Sequence, residues 1–183
     1  MSFSNARTRV VEPEHRADAL RHWTSVPGLA GEALEASLAE VADPADIDAA
    51  RKRGEALNAV LSVRPLSSTN WLSLAGARFI AGEEYEDVLR ALAMSSVTGA
   101  NEGSVMLQRG IFGLVQWEAL PVDVRRRVIT DLAGAVLETT VRDGEIAPAK
   151  NVLSLKTADT RQEIANLLRA AGVSATELAR MGL

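Results

Sequence analysis

Two stretches of this chain lie over one another without a gap. Leu61–Phe79 (LSVRPLSSTNWLSLAGARF) and Met94–Phe112 (MSSVTGANEGSVMLQRGIF) align at an offset of 33 residues, which sets Leu61 on Met94, Ser62 on Ser95, Leu74 on Leu107 and Phe79 on Phe112. In each copy an apolar helix end gives way to a turn-rich loop and then to a second apolar helix. A period of about 33–34 residues is the length of one helix–turn–helix unit in helical repeat proteins. One such unit cannot bury its apolar face alone and has to stack on a neighbour. The expected fold is therefore all-α: stacked antiparallel helical hairpins, as a short solenoid or bundle, closed by a C-terminal helical hairpin cap.

The rest of the chain is read around that core. Residues 1–12 are polar and without periodicity, and are expected to be a disordered leader. A helical-repeat domain is expected over 13–141. It begins with a helix from Pro13 to about Thr24 and includes one opened by Asp43-Pro44, a carboxylate cap followed by proline at the first helical position. In the helix after Asn101, Leu107, Ile111, Leu114 and Val115 form one face, and Met106, Gly110, Gly113 and Trp117 the other. Two glycines inside a helix cost about 1 kcal/mol each relative to alanine, so a close packing contact is expected to offset them. Arg142–Lys150 reads as a loop and Asn151–Leu155 as a short β-like run. Residues 142–183 as a whole are expected to pack on the same domain, with Ser174–Glu177 as the capping box of the last helix.

The repeat resembles the tetratricopeptide family, whose first helix carries a Trp-x-x-Leu-Gly-x-x-Tyr pattern. Trp71 and Leu74 match it, with Ala75 in place of the glycine and Arg78 in place of the aromatic. In the second copy those positions hold Ser104, Leu107, Gln108 and Ile111, and Gly99 stands where proline is common. The resemblance covers about 61–117 and implies antiparallel helix pairs used as a protein-binding scaffold. Such modules occur as accessory parts of bacterial envelope and polysaccharide systems.

Composition narrows the chemistry. There is no cysteine, which excludes thiolate catalysis and Cys-ligated zinc. The formal net charge of −4 argues against a general nucleic-acid or acidic-lipid binder. No apolar run approaches the roughly 18 residues of a membrane span, and no signal-peptide core is evident at the N-terminus, so a cytoplasmic protein is expected. His15 and His22 are seven residues apart and lack a His-Glu-x-x-His pattern, so they read as a solvated helix face and no metal site is expected. Ser104 in Glu102–Met106 sits at a helix start and not after a strand, so it is not read as a nucleophile. Thr98–Ser104 is glycine-rich but lacks the Gly-Lys-Ser/Thr ending of a phosphate loop, and reads as a structural turn. The carboxylates of Gly82–Asp87 read as solvated groups favoured by a helix dipole. No catalytic constellation and no cofactor is expected.

Two surfaces remain as candidates. The small-residue face of Met106, Gly110, Gly113 and Trp117, together with Trp71, is the candidate contact for another protein or a second copy. The basic triplets Arg51, Lys52, Arg53 and Arg125, Arg126, Arg127, with the C-terminal hairpin, are the candidate anion site. The first makes the protein a non-enzymatic scaffold. The second, the alternative, makes it a regulatory nucleic-acid or anion-binding module. The C-terminal hairpin departs from a DNA-binding helix-turn-helix, because Leu168 stands where a small residue lets the two helices cross.

Overall fold

The computed structural model describes residues 46–138 and 142–183. The expected leader, the helix from Pro13, the Asp43-Pro44 start and both histidines lie outside those residues. The described residues are all-α, with eight α-helices, one 3₁₀ turn and no strand. They group into two compact units divided between Thr98 and Gly99. That division falls inside the second copy of the repeat, and not at the loop expected from residue 142.

In the first unit, α1 (Ile47–Val63), α2 (Ser68–Ala81) and α3 (Tyr85–Thr98) are joined by loops of four and three residues, short enough to make neighbours antiparallel. The middle helix packs against both others. Asp46 caps α1 by accepting the Asp48 N–H at 2.9 Å, and Ala50, Gly54, Leu57 and Leu61 form its buried stripe. Pro65 follows within two residues of the helix end, where it cannot continue the helix. Gly82 ends α2 at φ 69°, a left-handed turn that a Cβ would strain. Glu86 and Asp87 sit in the first turn of α3, where the macrodipole favours negative charge.

The second unit holds α4 (Gly103–Val115), a 3₁₀ turn (Trp117–Ala119), α5 (Val122–Leu137), α6 (Asp143–Ser154), α7 (Ala158–Ala170) and α8 (Ala175–Met181). The helix α4 packs against α5 and α6, α7 against α5, and α8 against α6 and α7. The helix α6 replaces the loop and β-like run expected over 142–155. Glu145 accepts the Arg142 N–H at 2.8 Å at its start. Ile146, Ala149 and Leu153 then line one buried face at helical spacing. Pro148 lies inside the helix and removes one hydrogen bond. It is exposed, as is Gly144, so water can satisfy the carbonyl that loses its donor.

The helix boundaries of the two aligned stretches correspond at a different offset from the one their residue types suggest. The helix ends at Val63 and Thr98, and the helix starts at Ser68 and Gly103, are 35 residues apart. At that offset Val60 corresponds to Ser95, Leu74 to Arg109 and Ala75 to Gly110, and all six are buried. The 33-residue offset instead sets buried Ala75 on exposed Gln108. The two helices of the second copy, α3 and α4, belong to different units.

The Ser174 cap of α8 forms as expected. The Glu177 N–H donates to Ser174 Oγ at 3.3 Å, and the Ser174 N–H donates to Glu177 Oε2 at 2.8 Å. Ser174→Ala is expected to cost about 1 kcal/mol in urea unfolding. The Ser174 backbone N–H, and then its hydroxyl, hold the Glu177 carboxyl below its usual pKa. A depressed folded-state pKa stabilises above the unfolded carboxylate range, and that stabilisation is lost as pH falls through the folded value. In Glu177→Gln this part of the pH dependence should disappear.

Candidate interaction surfaces

The small-residue face is interior. Gly110 and Gly113 on α4 are both buried. A Cβ built on Gly110 would lie 2.6 Å from Leu132 Cγ, and one on Gly113 would lie 2.8 Å from Val128 Cγ1. Both neighbours belong to α5. The contact is reciprocal: Gly134 on α5 leaves room for the Met106 methyl from α4, which a Cβ there would strike. Three glycines thus let two helices approach closely and nest their side chains, which explains why the propensity cost of Gly110 and Gly113 is tolerated.

Trp117 is also interior, at 1% exposure. Its indole Nε1 donates to Glu163 Oε2 at 3.3 Å, and the Arg125 guanidinium lies 5.4 Å from the ring centroid. Trp71 is half-buried, and its Nε1 donates to the Pro65 carbonyl at 2.7 Å, which fixes the α1–α2 turn. Gly110, Gly113 and Trp117 are therefore not a partner surface. A stripe of small residues facing outward and one facing a neighbouring helix look the same in a sequence.

The basic triplets are likewise divided. Three consecutive helix residues point about 100° apart in turn, so they cannot share one face. Arg51 pairs with Asp48 at 3.0 Å in an exposed, low-energy contact, while Lys52 is exposed and Arg53 half-buried. Arg125 is committed to structure. Its Nε donates to the Leu120 carbonyl at 3.1 Å, its Nη2 to the Glu118 carbonyl at 3.3 Å, and its Nη1 reaches Glu163 at 3.4 Å. Arg126 and Arg127 remain exposed. The triplets lie in separate units.

Sequence reasoning missed the most buried charge among the described residues. Arg109 is 1% exposed, and it holds Asp131 by two bonds, Nη2 to Oδ1 at 2.7 Å and Nε to Oδ2 at 2.9 Å. Its Nη1 donates to the Gly99 carbonyl at 3.1 Å. The glycine-rich turn before α4 is thus tied down by a buried side chain rather than shaped for a ligand. A signal was present: Asp131 falls between Val128 and Ala135 on the inward stripe of α5, so an opposite charge had to meet it inside.

Other ionic groups are occupied similarly. Lys156 Nζ lies 2.7 Å from Glu118 Oε2 and 3.4 Å from the Val115 carbonyl, and the lysine's hydrogen bond holds the Glu118 carboxyl below its usual pKa. The Tyr85 hydroxyl is enclosed without a hydrogen-bond partner, and burial raises its pKa. Among the described residues, no group of three His, Cys, Asp or Glu could hold a metal ion, and no helix is long and apolar enough to cross a membrane.

One end of the first unit carries exposed apolar side chains. Leu66 is 78% exposed, Val97 74% and Val63 48%, and Met94 is exposed as well. These side chains belong to one end of the unit. The Ser95 hydroxyl donates to the Ser68 carbonyl at 2.8 Å, which brings the end of α3 to the start of α2. Val63 and Leu66 lie at the turn leading into α2, and Met94 and Val97 are one helical turn apart on α3. In the second unit Leu155 and Val122 are also exposed, each beside a charged neighbour in the chain, Lys156 and Asp123. Comparison of the chain with family models, curated proteins and solved structures found no match.

Proposed function

We propose that the protein is a non-enzymatic helical module that binds another protein through the apolar end of its first unit, formed by Val63, Leu66, Met94 and Val97. The observation that carries this reading is the exposure of four large apolar side chains where the turn into α2 meets the end of α3. Exposed apolar groups in contiguity mark binding sites more often than single ones do. The internal pairing of Arg109, Arg125 and Lys156 adds support, because these charges secure helix contacts. The commitment of Arg125 to Trp117 and Glu163 also argues against the alternative in which its triplet grips nucleic acid.

The test is affinity capture with the full chain and with the double variant Leu66→Glu, Val97→Glu. Exposed substitutions cost roughly 0.5 kcal/mol or less, so the thermal midpoint should hold. Proteins retained by the parent chain should be lost from the variant. An identical retained set would overturn the assignment.

A further inference from the structure

One face of α7 gathers positive charge around a cavity. Ala158, Arg161, Gln162, Ala165 and Arg169 line it from the helix, Gly182 and Leu183 line it from the other side, and its volume is about 290 Å³. At about 100° per residue these five helix positions fall within a stripe roughly 100° wide, with two alanines as its floor. The acidic residues of α7 lie off that stripe. Asp159 is rotated away from it, and Glu163 is turned to Trp117 and Arg125.

Among the described residues several arginines are ion-paired, while Arg161 and Arg169, like Arg126 and Arg127, are not. Arg51, Arg78, Arg90, Arg109 and Arg125 each face a carboxylate. Among the described residues, Arg161 has no ion pair. Arg169 is held by a neutral group, its Nη1 donating to Asn166 Oδ1 at 2.8 Å. The same oxygen accepts from Gln162 Nε2 at 2.9 Å, so one carboxamide fixes both side chains without cancelling charge. Lys150 of α6 passes beside the Gly182 turn without lining the cavity. A Cβ on Gly182 would lie 3.3 Å from Lys150 Cγ and 3.5 Å from its Cε, so the lysine stem runs along the turn. The absence of a side chain at Gly182, required anyway by its φ of 80°, leaves room for that stem.

We infer that this cavity is a binding site for a small polyanionic metabolite carrying phosphate or carboxylate groups. Guanidinium groups present paired N–H donors that match either oxyanion. Their starting points on the helix are about 12 Å apart, and both side chains are long enough to turn toward one ligand. The alanine floor leaves space for a compact organic body between them. The site lies within the second unit and is independent of the proposed protein-binding end of the first.

The experiment is a ¹H–¹⁵N NMR titration of the full chain at low salt with pyrophosphate and, separately, with citrate. At least one probe should shift amides over 158–169 and at 182–183, and the one that binds more tightly identifies phosphate or carboxylate as the preferred group. Removing one guanidinium, by Arg161→Gln or Arg169→Gln, should weaken binding roughly tenfold or more. The control Arg126→Gln, Arg127→Gln should leave it unchanged. Each single variant's spectrum reports its own folding, so either suffices if the other unfolds. No localised shift with either probe, or affinity unchanged from the parent chain in both arginine variants, would overturn the assignment.

Discussion

Gly113→Ala should destabilise the protein, while the same change at Gly76 should stabilise it. Both glycines lie inside helices, and in an open helix alanine is favoured by about 1 kcal/mol. Around Gly76 nothing lies within 4 Å of the added Cβ, so most of that gain should appear in the unfolding free energy. At Gly113 the Cβ enters space held by both methyls of Val128, a buried residue with a stiff side chain. Overpacking of this kind costs about 1–3 kcal/mol, enough to cancel the propensity gain and reverse its sign. Pairing Gly113→Ala with Val128→Ala removes the clash, so the double variant should lose less than the sum of its parts. Urea unfolding of the four chains measures this directly.

Breaking the Arg109–Asp131 pair from one side should have a larger effect than any surface substitution. Arg109→Met leaves Asp131 without its cation, and Asp131→Ala leaves a guanidinium at 1% exposure without its anion. Removing one partner of a buried pair typically costs about 3–5 kcal/mol, a large share of a small protein's stability. Removing both is different, because no buried charge is left uncompensated. Arg109→Met with Asp131→Ala should therefore recover much of the loss. Strictly additive costs in denaturant unfolding would show that the two charges do not depend on each other.

These two expectations show what could be read from the chain and what could not. Helix class and most boundaries followed from caps and periodicity: Gly82 stops α2, Pro65 limits α1, and Ser174 with Glu177 starts α8. Periodicity identifies which side of a helix is inward but not what it meets there. Met106, Gly110 and Gly113 carried a real packing signal, yet their partners Leu132, Val128 and Gly134 are supplied by a later helix. The same limit hid Arg109, whose role exists only once Asp131 is opposite. The α6 segment was misread because Gly144 and Pro148 are strong local breakers, while Ile146, Ala149 and Leu153 are recruited by tertiary burial. The register error had a related cause. Matching residue types favour a 33-residue shift, whereas the helix boundaries recur at 35.

The apolar end of the first unit was illegible for another reason. Leu66 and Val97 are far apart in sequence, and the antiparallel packing of α2 on α3, with the Ser95–Ser68 hydrogen bond, brings their segments to one end. The measurement that bears most directly on which face is available is thiol labelling, which the lack of native cysteine makes clean. Single substitutions Leu66→Cys and Val97→Cys should react at the rate of a free thiol in the native protein. Val128→Cys, in the α4–α5 contact, should react only as fast as the protein unfolds. Rapid native-state labelling at position 128, or protection at 66 and 97 in the isolated protein, would contradict the account.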